Sequence, residues 1–269
     1  MTQIFGSEVL QGQHAFLTGA GSGINLSIAK LFASQGASVS IVGRNLDKAQ
    51  AAAADINAAG GRAAGFSADV RDIQALTQAM VEACQRFGPI NICVAGAAGN
   101  FVAKANKLSA NGFRTVVDID LMGTFNTFRT AYDFLRRPAS LLAISAVQSS
   151  LPMFGQAHVC AAKAGVEMLV RSLSVEWAAE GIRCNAIAPG PVDQTEGMSR
   201  LAPEGEQSWA QLLQGIPSGR AGRREEIANL ALFLASGAAS YINGTVVVID
   251  GGQSNLGSFT MGSVLKNTL

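Results

Sequence analysis

The chain has 269 residues, enough for one large core or two small domains. Hydrophobic residues make up 48% and charged residues 14%, with 20 Lys+Arg against 19 Asp+Glu; the net charge of +1 argues against nucleic acid or an anionic membrane as partner. No apolar run reaches transmembrane length. Cys84, Cys93, Cys160 and Cys184 are far apart without CxxC spacing, and two of them lie in strand-like runs. They read as reduced core residues of a cytoplasmic protein, with no metal site expected. The first residues lack a basic-then-apolar leader pattern, and the last three are not an SKL-type address, which fits the same expectation.

In chain order, His14 to Thr18 is an apolar run that reads as a buried strand, and Gly19 to Asn25 is a glycine turn. A helix is predicted over 24–35, with Ile28, Ala29, Leu31 and Phe32 apolar and Gly36 as its stop. Strand 37–43, an alanine-rich helix 46–59, strand 63–67, helix 72–87 and strand 90–95 follow. A long helical zone spans 109–135, capped by Ser109 and broken near Gly112 or Gly123. Strand 140–146, helix 156–179 and strand 183–188 come next, the last stopped by Pro189-Gly190-Pro191. Residues 192–222 carry Pro, Gly and polar residues and read as a mobile insertion. Helix 224–236 and strand 245–249 complete the chain.

About seven strand–helix alternations without a linker predict one α/β domain over 1–269 with a doubly wound parallel sheet. Right-handed crossovers bring the strand ends to one edge. Ligand-facing residues are therefore expected at 19–25, 43–45, 69–70, 96–101, 145–148 and 189–192.

Strand, glycine turn and helix together place bare backbone N–H groups and a helix N-terminus against a phosphate. Gly19 suits a tight turn, and Gly21 and Gly23 carry no Cβ to hold a pyrophosphate away. Ser22 and Ile24 lie in the same turn. The second strand ends in Arg44, where an NAD site usually has Asp or Glu. A guanidinium there could pair with a 2′-phosphate, which favours NADP(H); alternatively Arg44 is a solvated loop cation. Asp69 could accept from an adenine amino group, cap the next helix, or do both.

The glycine turn, the Gly96–Gly99 loop, Lys163 and Pro189-Gly190, in this order, resemble the short-chain dehydrogenase/reductases over essentially the whole chain. Ala97-Ala98-Gly99-Asn100-Phe101, Val117-Asp118-Ile119-Asp120 with Gly123-Thr124-Phe125-Asn126, and Ala188-Pro189-Gly190-Pro191-Val192 with Thr195-Glu196-Gly197 are similar to the 2,4-dienoyl-CoA reductases, particularly the peroxisomal type. The resemblance implies a Rossmann-like fold and NADP(H) at Gly19, Gly21, Ser22, Gly23, Ile24, Arg44, Asp69, Val70, Ala97, Lys163, Pro189, Gly190 and Val192. It implies an acyl-CoA thioester as substrate near Asn100, Phe101, His158 and Thr195, and a homotetramer formed through helices 109–135 and 156–179. Residues 192–222 become a substrate lid.

The chain also departs from the family pattern. Asn25 stands where the superfamily turn usually has Gly, and it could cap the helix or take positive φ. Val159 stands at the usual Tyr position four residues before Lys163. Ala146 stands at the usual Ser, Gln148 at the mitochondrial-type Tyr, and Met122 at the helix Asn. Tyr132 and Tyr241 fit neither slot. The peroxisomal type resembles this chain in lacking the Tyr, and its resemblance implies Asp120 and Lys163 as catalytic residues holding a water.

Each role has a plainer reading: Asp120 paired to a backbone amide, Lys163 a surface lysine, His158 a packing histidine, Phe101 core, Glu196 a solvated charge. An NADPH-dependent dienoyl-CoA or related enoyl-CoA reductase, a carbonyl-reducing 3-oxoacyl thioester reductase and a non-catalytic nucleotide-binding protein all stay open.

Overall fold

The computed structural model describes residues 6, 8–195, 198 and 213–256. Seven parallel strands form one sheet: β1 (His14–Thr18), β2 (Ser38–Gly43), β3 (Arg62–Ser67), β4 (Ile90–Ala95), β5 (Leu135–Ile144), β6 (Ile182–Pro189) and β7 (Val246–Ile249), in the order β3-β2-β1-β4-β5-β6-β7. The order reverses direction between β1 and β4, which opens a crevice beyond their carboxyl ends.

Side chains alternate across the sheet and feed two cores. Ala15, Leu17, Val39, Ile41, Ile92 and Val94 face the first, covered by α1 (Gly23–Ser34), α2 (Leu46–Ala58) and the late helix Arg224–Ala235. Phe16, Cys93, Ala95, Leu141 and Cys184 face the second, which includes residues of α3 (Ile73–Phe87), α5 (Gly123–Tyr132) and α6 (Ala157–Trp177). Burial on both faces explains why β1 is buried at every residue, with Ala15, Phe16 and Leu17 apolar in succession instead of alternating. Cys93 and Cys184 are buried strand residues as expected, whereas Cys84 and Cys160 are half-buried on helices; all four are free thiols. No helix among the described residues is long and apolar enough to cross a membrane.

The long helical zone is two helices joined by a π-helical turn. After α4 (Ala110–Val117), capped by Ser109, the turn Asp118–Met122 leads into α5 at Gly123. A Cβ on Gly123 would stand 2.5 Å from Val70 Cγ2, so glycine there lets the helix meet the β3–α3 loop. Helix α5 stops at Tyr132, and β5 begins at Leu135, five residues before the predicted start. Pro138 has no N–H to give a ladder and hides the strand's first half from sequence reading. The pairing goes from Ile90↔Leu135 directly to Ile92↔Ser140, leaving the proline segment looped out of register.

Of the predicted lid at 192–222, residues 196, 197 and 199–212 lie outside the described residues, Glu196 among them.

Candidate active site

The crevice is built from loops at the carboxyl ends of β1 to β5. Gly19, Ser22, Gly23, Ile24, Arg44, Asp69, Val70 and Ala97 line one cleft together, joined by Thr195, which the resemblance assigned to the substrate; Lys163, Pro189, Gly190 and Val192 of the expected cofactor set lie outside that lining. Gly21 opens on the adjoining cleft, between Arg44 and Lys48 of α2. Gly19 is fixed by close packing on the β4 loop, and Gly23 leaves open space that a phosphate can enter. A Cβ on Gly19 would meet the Ala97 backbone at 2.8 Å, and Gly23 has nothing within 4 Å of where a Cβ would stand. Ser22 begins α1 without a side-chain cap and the first turn holds no acidic residue, so its N–H groups and dipole suit an anion.

Asn25 neither caps α1 nor takes positive φ. It lies within the helix, buried, and its Nδ2 donates to the Gly96 carbonyl at 2.8 Å and to the Gly19 carbonyl at 3.4 Å. Thr18 makes a parallel tie, accepting from Gly96 N at 3.2 Å. The β1 turn and the β4 loop are thus held as one unit.

Asp69 is not the helix cap. Asp72 begins α3, accepting from the amides of Gln74 and Ala75 at 2.9 and 3.0 Å. Asp69 instead receives Arg71 through Nε at 3.0 Å and a terminal nitrogen at 2.6 Å. That guanidinium holds the Asp69 carboxyl below its ordinary range, with the Arg71 amide and the Arg44 charge adding to the effect. Arg44 is exposed, with its backbone at the end of β2.

Asp120 sits in the π-helical turn, 1% exposed. Its Oδ1 accepts from Gly99 N at 2.7 Å, and its Oδ2 lies 3.1 Å from Lys163 Nζ, outside hydrogen-bond alignment. Lys163, buried on α6, donates from Nζ to the Ile144 carbonyl at 2.9 Å. The plainer reading of Asp120 therefore holds alongside the ion pair: it binds a backbone amide with one oxygen and faces an ammonium with the other. Lys163 is no surface lysine. A π-turn interrupts the i→i−4 ladder and re-aims a side chain, and such turns recur at functional sites.

His158 is fully buried and stacks on Phe101 at 4.4 Å between ring centroids. Burial lowers the imidazole pKa, opposed by the Phe101 backbone and the Asp120 charge, which keeps the ring neutral near pH 7. Phe101 is 38% exposed, so it is not plain core. Its carbonyl accepts from Gln156 Nε2 at 2.7 Å, which pins the loop carrying Asn100 to the start of α6. Val159 is buried with Val116 and Ala162 in a small apolar cluster of its own.

Pro189 ends β6 paired with Ile249, and a Cβ on Gly190 would meet Asp250 Cβ at 2.7 Å. Val192 is buried and bridges to Gly222, which joins the two ends of the insertion.

Sequence reading assigned no role to Asn126, whose Nδ2 holds the Val70 carbonyl at 2.9 Å, or to Lys48. Only the quoted Gly123–Asn126 stretch hinted at the first. Among the described residues no group of three or more His, Cys, Asp or Glu could hold a metal ion.

A glycine-rich turn feeding a helix at the switch point of a parallel sheet, with a buried Lys–Asp pair beside it, defines a dinucleotide-binding α/β protein of oxidoreductase type. Residues 19–254 match the family model described as enoyl-(acyl carrier protein) reductase. The chain is 43% identical over 255 residues, 93% of its length and 86% of the relative's, to a peroxisomal 2,4-dienoyl-CoA reductase of Rattus norvegicus. It is 39% identical to a probable 2,4-dienoyl-CoA reductase of Bacillus subtilis, covering 91% and 97% of the two chains. A gluconate 5-dehydrogenase of Burkholderia cenocepacia, solved with NADP and tartrate, superposes with a TM-score of 0.86 at 29% identity, covering 93% and 98%. The chain belongs to the short-chain dehydrogenase/reductases and is an oxidoreductase of the nicotinamide-binding kind.

Proposed function

We propose that the chain is an NADPH-dependent reductase of 2,4-dienoyl-CoA or related unsaturated acyl-CoA thioesters. The names of its relatives favour that substrate class. The observation that carries the reading is the buried contact of 3.1 Å between Asp120 Oδ2 and Lys163 Nζ, beside the loop of Asn100 and Phe101. The cofactor, when bound, supplies the hydride. Arg44 would meet the 2′-phosphate, the turn 19–24 the pyrophosphate, and Lys163 the nicotinamide ribose.

As hydride reaches the conjugated carbon, negative charge gathers on the thioester oxygen, and donors must meet it there. Lys163, the buried ammonium beside Asp120, would be that donor. The Asp120 oxygen outside hydrogen-bond alignment can accept from a water that donates to the dienolate and yields the proton to carbon. Asn100, Phe101, His158 and Thr195 would border the substrate. No phenol is required, because hydride goes to carbon and the oxygen never needs a full proton.

The apolar seat of Val159 counts against a ketone reductase, whose alkoxide needs an acid at once. Following NADPH absorbance with a dienoyl-CoA and, separately, a 3-oxoacyl-CoA tests the proposal. Turnover of the dienoyl thioester alone is expected. Turnover of only the 3-oxo compound favours the carbonyl-reducing alternative, and NADPH binding without turnover favours the non-catalytic one.

We also propose a homotetramer through α4–α5 and α6, supported by exposed Phe125, Met168 and Val175 on those helices. Light scattering on the purified protein checks it. The reduced cysteines favour a cytoplasmic location, which cell fractionation tests.

A further inference from the structure

Four residues after Lys163, on the same face of α6, stands Glu167, 8% exposed. A carboxylate so deep needs a reason. Its Oε1 accepts from Ser145 Oγ at 2.8 Å, and Ser145 is itself buried, directly after the last residue of β5. The preceding residue, Ile144, offers the carbonyl that accepts from Lys163 Nζ at 2.9 Å. The amide of Ser145 is tied as well, donating to the Ile187 carbonyl of β6 at 2.7 Å. Two neighbouring residues at the strand's carboxyl end are therefore gripped by two side chains one helical turn apart. On the outer side, an Arg171 nitrogen lies 3.9 Å from Glu167 Oε2, so charges along this row run Asp120, Lys163, Glu167, Arg171 with alternating sign from the buried site to the surface.

From this geometry we infer that Glu167 is a positioning residue: through Ser145 it holds the end of β5 so that the Ile144 carbonyl aims the Lys163 ammonium into the crevice. The inference rests on the reading of Lys163 as the group that meets the nicotinamide ribose. Nothing in it requires Glu167 to touch cofactor or substrate. The carbonyl is only as well placed as its peptide, and that peptide is the last rung of the strand, held on the β6 side by the Ser145 amide with no β5 pair beyond it. The bond from Ser145 Oγ to Glu167 adds a side-chain restraint to that last backbone rung, on the side facing Lys163.

The test compares Glu167→Ala, Glu167→Gln, Ser145→Ala and the Ser145→Ala/Glu167→Ala double variant with the wild type and Lys163→Ala. Two readouts are used: the NADPH dissociation constant, and the pH profile of kcat/KM for dienoyl-CoA. Glu167→Ala and Ser145→Ala are each expected to weaken NADPH about tenfold, from the loss of one hydrogen bond to a charged group. The alkaline limb of the pH profile should move in both. Glu167→Gln keeps an oxygen that accepts from Ser145 and is expected to stay within about twofold of wild type. The double variant should be no worse than either single one, because both break the same link.

A role in stability alone would lower the melting temperature while leaving NADPH affinity and the pH profile in place, and that result overturns the inference. If Glu167→Ala fails to fold, the Ser145→Ala/Glu167→Ala double variant, which leaves neither a buried hydroxyl nor a buried carboxylate without its partner, decides by the same readouts. Lys163→Ala separates the two claims. If it leaves NADPH affinity unchanged, the ribose reading falls and the clamp falls with it. If it weakens NADPH while the Glu167 and Ser145 variants do not, only the clamp falls. A wild type that binds NADPH without reducing dienoyl-CoA sinks the proposed reaction, and the affinity comparison still decides the clamp.

Discussion

Asn25 Nδ2 donates to the Gly96 carbonyl at 2.8 Å, and a Cβ on Gly96 would collide with the Asn25 side chain. Asn25 lies in the helix after β1 and Gly96 in the loop after β4, the two strands that flank the switch point, so the bond closes the crevice at its base. Gly96 must be glycine because Asn25 is asparagine. Replacing Asn25 with the more usual glycine removes the bond and puts a flexible residue inside α1. A loss of about 1–3 kcal/mol is expected. Urea denaturation measures it, and an unchanged midpoint would show that the bridge contributes nothing to stability.

Asp120 serves Gly99 N and Lys163 Nζ at once. Asp120→Asn keeps an acceptor for the amide and deletes the charge, and turnover of dienoyl-CoA is expected to drop about a hundredfold or more with NADPH still bound. Asp120→Ala should add a stability loss of about 3–5 kcal/mol, because it leaves a buried ammonium without its counter-charge. Steady-state kinetics and denaturation on both variants separate the two effects. Undiminished turnover in Asp120→Asn would remove the carboxylate from the mechanism.

Arg44 stands exposed at the cleft that Gly43 and Asp69 also line. A guanidinium–phosphate pair contributes about 1.5–3 kcal/mol. Arg44→Ala is therefore expected to weaken NADPH about tenfold to a hundredfold and NADH little. Fluorescence titration with both dinucleotides measures this, and equal losses would refute the 2′-phosphate role.

His14 sits at the opposite end of the sheet, 1% exposed. Its Nδ1 lies 2.7 Å from the Gly88 carbonyl, which can only accept, so this nitrogen carries the proton and Nε2 accepts from Ser40 Oγ at 2.8 Å. Burial pushes the imidazole pKa down to about 4 from 6.5. Between those values the unfolded chain binds the proton and the folded one does not. The stability His14 protects is therefore complete above about pH 6.5 and drains away as pH falls towards 4, by at most about 3 kcal/mol. Denaturation midpoints across that range should show the slope, and His14→Gln should flatten it. Parallel curves for both proteins would contradict the assignment.

Strand and helix positions were legible because periodicity records which faces are buried. Runs such as His14–Thr18 and Ile90–Ala95 match the observed strands residue for residue. The glycine turn was legible because a close backbone approach admits almost no other residue type. Pro138 misled the reading of β5, since Leu135 already pairs with β4 ahead of the proline and the strand resumes its pairing with β6 at Ala139 and with β4 at Ser140 beyond it. At Asp69 the sequence left a helix cap and an adenine contact both open. Asp69 and Asp72 both precede α3, and only the arrangement in space shows that Asp72 takes the cap and Asp69 takes Arg71.

By itself the amino-acid order determined the layered α/β design, the glycine turn and the absence of a phenol four residues before Lys163, for these depend on local pattern and residue identity. Tertiary structure alone decided that Asp120 meets Gly99 and Lys163, that Asn25 reaches across to Gly96, and that Glu167 answers Ser145. Those contacts join residues from 21 to 71 positions apart or depend on a π-turn that re-aims a helix face, and no periodicity encodes where a side chain ends once another strand has packed beside it.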